Sequence, residues 1–114
     1  MTTRTEAELA KEIRQAVSDF LIPLRTTKMI SAESFERLHA FGVELLNIYK
    51  GNDRVSKSLI YEFYATRGMI DAEIPYHKDK QQLQEMSARL SMLFDLLLIG
   101  EVPADRIPGK PRVI

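Results

Sequence analysis

The chain predicts an all-α fold: a four-helix, up-down bundle-like domain followed by an irregular, proline-containing C-terminal tail. Three observations carry that expectation. Apolar residues recur at helical spacing in four segments, cap and stop residues fall between those segments, and alternating strand patterns are absent except weakly at the last few residues. Apolar residues make up 45% of the 114 positions and charged residues 28%, a globular balance sufficient for one domain with its own core. The expected helices span approximately 5–22, 31–50, 53–67 and 79–99, with the tail over 100–114.

Thr5-Glu6-Ala7-Glu8 has the pattern of a capping box and opens the first helix. Leu9, Ile13, Ala16 and Phe20 then line one narrow stripe, while Lys11, Arg14, Gln15 and Asp19 face elsewhere. Pro23 is expected to end it, since the residue before a proline is pushed out of the helical region. Ser31 is the cap expected for the second helix, with Ile30 and Phe35 placed as a hydrophobic staple. Its apolar arc holds Phe35, Leu38, Phe41, Leu45, Leu46, Ile48 and Tyr49. Gly42 lies within the same arc, where the missing side chain lets another backbone approach closely in a tight helix crossing. Gly51 reads as its stop.

Asn52 or Asp53 is the expected cap of the third helix, whose inward residues are Val55, Leu59 and Phe63 and whose end falls at Gly68. Pro75 then imposes a short turn and a bend. Asp79 caps the fourth helix, with Gly100 as its stop. The short connections favour antiparallel neighbours.

The fourth helix is apolar on more than one side. Leu83, Met86, Leu90, Leu93, Phe94 and Leu97 form a broad core face, and Met92, Leu96 and Ile99 project as a second stripe on the other side. A simple bundle occupies one of these faces. Three covers for the other present themselves: the tail folding back, a second copy of the chain, or a different protein.

The third helix carries the other distinctive surface. Arg54, Lys57, Tyr61 and Tyr64 lie largely opposite Leu59 and Phe63, and rings beside cations suit a carboxylate-bearing partner, a peptide or a base. The competing expectation is ordinary rim packing, with the ring buried and the hydroxyl wet.

Chemistry has little to stand on. Without cysteine there is no disulfide, thiolate site or thiol catalysis. Glu36 and His39 have E-x-x-H spacing, but a di-metal bundle needs that motif twice, and around His77 Pro75 interrupts it. Neither a zinc-protease, a nucleophile-elbow nor a phosphate-loop motif occurs. No cofactor or metal is expected.

Sixteen cations balance sixteen anions, so whole-molecule attraction to nucleic acid or anionic lipid is not expected. The opening MTTRTEAELAKE lacks the apolar stretch of a secretory signal, and no apolar run approaches a membrane span. The sequence therefore predicts a cytoplasmic, non-catalytic interaction or regulatory module. Its contacts would be Met92, Leu96 and Ile99, or the basic-aromatic face of the third helix. Its partner is expected to be a protein, a second copy, or both. A nucleic-acid-binding regulator is the alternative, and a bundle enzyme with a small-molecule pocket stands behind it.

Overall fold

A computed structural model describes residues 4–99 and shows four helices in an up-down, bundle-like arrangement. Helix α1 spans Glu6–Thr26, α2 Ala32–Tyr49, α3 Lys57–Glu73 and α4 Lys80–Ile99, with a 3-10 turn over Ile74–Tyr76 before α4. The predicted tail, 100–114, lies outside the described residues.

Local chemistry sets most of the starts. In α1 the Glu8 amide donates to the Thr5 hydroxyl at 3.2 Å, and the Thr5 amide donates back to the Glu8 carboxylate at 3.4 Å. Two otherwise unpaired backbone donors are thereby engaged reciprocally or at the cap. Ser31 accepts from the Ser34 amide at the head of α2, and Asp79 accepts from the Gln82 amide at the head of α4.

Three expected boundaries move. Pro23 lies inside α1, which continues one turn past it. Proline removes one backbone donor there, yet Leu24 extends the buried stripe of Leu9, Ile13, Ala16 and Phe20. The Thr26 and Thr27 hydroxyls also donate to the Ile22 and Pro23 carbonyls, at 2.7 and 3.0 Å. Burial of Leu24 outweighs the local preference.

Helix α3 begins at Lys57 rather than 53, capped by Ser56, whose hydroxyl accepts from the Leu59 amide. The Asn52 carboxamide oxygen instead accepts from the Arg54 amide and builds a turn. The Tyr49 phenol, on a ring buried in the core, accepts from the Ser56 amide at 3.1 Å. Finally, α3 runs through Gly68 because Ile70, completely buried, prolongs the stripe of Leu59, Phe63 and Thr66.

The principal helix pairings are α1 with α2, α3 with α4, α1 with α3, and α2 with α4. Ion pairs show the directions. Arg4 to Glu44 (2.6 Å) and Arg37 to Asp19 (3.3 Å) align α1 and α2 antiparallel. Arg14 to Glu62 and Lys28 to Glu73 make α1 and α3 parallel neighbours. The α2/α3 and α1/α4 pairs fall on the diagonals.

Gly42 has a different use from the one its position suggests. A Cβ there would overlap Cδ2 of Leu93 and lie 3.0 Å from the Phe63 ring. Side chains from α3 and α4 fill the notch, rather than another backbone.

Candidate interaction surface

Helix α4 packs against both α2 and α3, so its buried arc is wider than a single stripe. Leu96 consequently joins the core at 1% exposure, alongside Leu93 and Leu97. The expectation of a second exposed stripe containing Leu96 is corrected on this point. At 100° per residue, Leu96 lies only about 60° from Leu93 around the helix, within reach of the arc shared by two neighbours. Met92 remains 54% exposed, and Ile99 lies at the exposed edge. Two outlying side chains are left where three were expected.

The basic-aromatic group is distributed differently. Arg54 belongs to the connection before α3, Lys57 is the first residue of the helix, and Tyr61 and Tyr64 project outward at 61% and 50% exposure. No acidic residue stands in the first turn of α3, so Lys57 meets the positive end of the helix dipole without local compensation.

Tyr64 connects this face to α4. Its ring lies 6.0 Å from that of Tyr61 and 5.6 Å from that of Phe94, both tilted, as aromatic pairs prefer. One turn beyond Phe94, Leu98 is 58% exposed. Tyr61, Tyr64 and Leu98 project outward, and Phe94, half-buried with one side against the core, joins them into an apolar-aromatic group spanning two helices. The sequence reading missed its α4 half, because Phe94 reads as ordinary core. The i, i+4 spacing of Phe94 and Leu98 is the signal that could have found it.

Arg67 borders the group. Its guanidinium sits 5.7 Å from the Tyr64 ring centroid, and among the described residues its polar contact is a long one, 3.5 Å, to the Ser91 hydroxyl. It is half-buried, whereas Arg4, Arg14, Arg37 and Arg89 are more exposed and each engages a carboxylate. Among the described residues no carboxylate forms an ion pair with Arg67, Arg54 or Lys57. Asp71, one turn along, instead accepts from the Ser87 hydroxyl.

Clefts lined by described residues flank the bundle. One, of about 210 Å³, lies beside the aromatic group and is lined by Gly51, Asn52, Asp53, Val55 and Leu97 to Ile99. Another, of about 440 Å³, is formed by Leu21, Ile22, Arg25, Thr26, Lys28 and Glu73. Lys28 there adopts a left-handed backbone (φ 58°) and donates to Glu73 at 3.0 Å, with its ammonium 5.5 Å from the Tyr76 ring. Of the two cations that line this cleft, Lys28 is already engaged by Glu73.

The Glu36–His39 spacing serves packing. Arg89 donates to both Glu36 oxygens, with Nη2 to Oε2 at 3.1 Å, and lies 5.0 Å over the Phe35 ring. That hydrogen bonding holds the Glu36 carboxyl below the usual range. His39 stacks on Phe35 at 6.3 Å; burial first, then the Arg89 charge, keeps its imidazole below the ordinary value. Among the described residues no three His, Asp or Glu side chains are grouped to hold a metal. His77 is buried, with its Nε2 unpartnered. No helix among the described residues is long and apolar enough to cross a membrane.

Comparisons with protein-family models, curated proteins and solved structures gave no match for this chain.

Proposed function

We propose that this chain is a non-catalytic interaction module that works by docking a protein partner on the outer face of α3 and α4. The single observation that carries the reading is the contiguous surface group in which the exposed Tyr61, Tyr64 and Leu98 border the half-buried Phe94 ring. Large side chains scattered singly over a surface need no explanation, but here the rings touch one another across two helices. Aromatic groups with an adjacent arginine have the composition of interface centres. Met92 and Ile99 stand on another side of α4 and would serve as peripheral contacts at most, while Leu96 acts from within the core. A regulatory role follows if the docked partner is thereby blocked or held.

The test compares the native chain with a Tyr64→Ser, Leu98→Ser double variant. Both side chains are at least half exposed, so thermal unfolding should shift little. Each is immobilised and challenged with native cell extract at low and high salt. A discrete protein retained by the native chain and released by the variant supports the reading. Identical retention by both overturns it. Sedimentation of each protein alone reports whether a second copy occupies the face: a dimer that dissociates on substitution would make self-association the interaction.

A further inference from the structure

Building on that interaction reading, we infer that Arg67 is the anchor for a partner carboxylate and that the face receives an acidic, amphipathic protein segment. The argument begins with an imbalance. Arg67 is more buried than the arginines that hold carboxylates, yet among the described residues it has no carboxylate of its own. A guanidinium offers five donors in a planar fork suited to bidentate pairing with a carboxylate. Here one donor makes a long contact to Ser91 and the Tyr64 ring holds the group in place. Partial desolvation raises the cost of leaving such a charge without a counterion, and a carboxylate arriving from outside relieves it.

The apolar centre and the cations have a matching layout. Tyr64, Phe94 and Leu98 provide the surface for an apolar side chain. Lys57 stands ten residues before Arg67 on the same helix, which places the two cations about 15 Å apart along the axis, one on each side of Tyr61 and Tyr64. A segment with apolar residues in the middle and acidic residues towards both ends complements this order. Asp71 and Asp95, one turn from Arg67 and Leu98 respectively, oppose a continuous polyanion, so separate carboxylates suit the face better than a nucleic-acid backbone.

The experiment titrates the full chain, labelled for amide NMR, with two synthetic helix-forming peptides. They share leucines on one face and differ only in carrying Glu or Lys on both flanks. The Glu peptide should shift the amides of Tyr61 to Arg67 and of Phe94 to Leu98, and bind roughly tenfold or more tightly than the Lys peptide. Arg67→Glu should reverse that order. Arg67→Lys, which keeps the charge and loses the fork, should retain the Glu preference with weaker binding. Unfolding curves of each variant separate loss of fold from loss of pairing.

Equal binding of both peptides overturns the inference while leaving the interaction reading in place. So does a preserved Glu preference in Arg67→Glu. Failure of the Glu peptide to perturb the face overturns it as well, and the Tyr64→Ser, Leu98→Ser capture experiment then decides the broader reading separately. The inference also falls if single-stranded oligonucleotide, a peptide of residues 100–114, or raised concentration of the chain itself perturbs the same amides more strongly than the Glu peptide.

Discussion

Arg89 and Arg67 occupy comparable positions on α4 and α3, each with its guanidinium against an aromatic ring, and end in opposite electrostatic states. Arg89 lies over Phe35 and clasps Glu36, joining α4 to α2. Arg67 lies over Tyr64 and finds a serine hydroxyl. The same contrast holds for two helix-interior glycines. Gly42, on the α2 seam, opens a notch filled by Leu93 and Phe63, whereas a Cβ at Gly68 on α3 would meet nothing within 4 Å. One seam is complete within the chain. The other keeps cations, rings and an open glycine directed outward, and that difference supports placing the interaction on α3 and α4.

The contrast can be broken or sharpened by substitution. The largest effect is expected from Leu96→Glu, which puts a carboxylate into the α4 core and should cost about 4 kcal/mol or more, enough to unfold a marginal domain. Met92→Glu, on the exposed side, should change stability by roughly 0.5 kcal/mol or less. Urea unfolding of the pair checks this; equal effects would erase the distinction between the two residues.

Gly42→Ala comes next. The gain in helix propensity, about 1 kcal/mol, is opposed by overpacking against Leu93 and Phe63 of roughly 1–3 kcal/mol, so a net loss is expected. Gly68→Ala has no such opposition and should stabilise by up to about 1 kcal/mol. Opposite signs in the two unfolding midpoints sustain the comparison, and the same sign for both removes it.

The smallest expected effect concerns pH. The imidazole of His39 is held below its ordinary value near 6.5, mainly by burial, so the folded state favours the neutral ring. Its contribution is complete above pH 6.5 and declines as pH falls below that value, because the unfolded chain takes up the proton first. The carboxyl of Glu36, also held low, acts in the same direction further into acid. Replacing His39→Gln should flatten the loss of stability between pH 7 and pH 5. An unchanged slope in unfolding midpoints would assign that loss elsewhere.

The sequence made visible those features whose causes are local. Thr5, Ser31 and Asp79 cap as their positions suggest, since a hydroxyl or carboxylate needs only the next turn of backbone to bond. The stripe from Leu9 to Phe20 is legible for the same reason. Pro23 and Gly68 mislead because distant packing of Leu24 and Ile70 prolongs both helices against local preference. Leu96 misleads because one helix's own projection does not reveal how many neighbours it will meet. On the candidate face, Tyr61 and Tyr64 could be singled out from spacing alone. Phe94, Leu98 and Arg67 required knowledge of which side of α4 lies beside α3.

The diagonal placement of α2 and α3 has a consequence for assembly of the chain. The α1–α2 and α3–α4 hairpins are each built from sequence neighbours, so both can collapse early, before the two halves meet. The connection that joins them turns at Gly51 (φ 68°) and is fastened where the Tyr49 phenol takes the Ser56 amide. That phenol is the latch on the hinge between halves. Tyr49→Phe removes this one fastening and leaves the Asn52 amide on the Tyr49 carbonyl and the Arg54 amide on the Asn52 side chain to hold the turn.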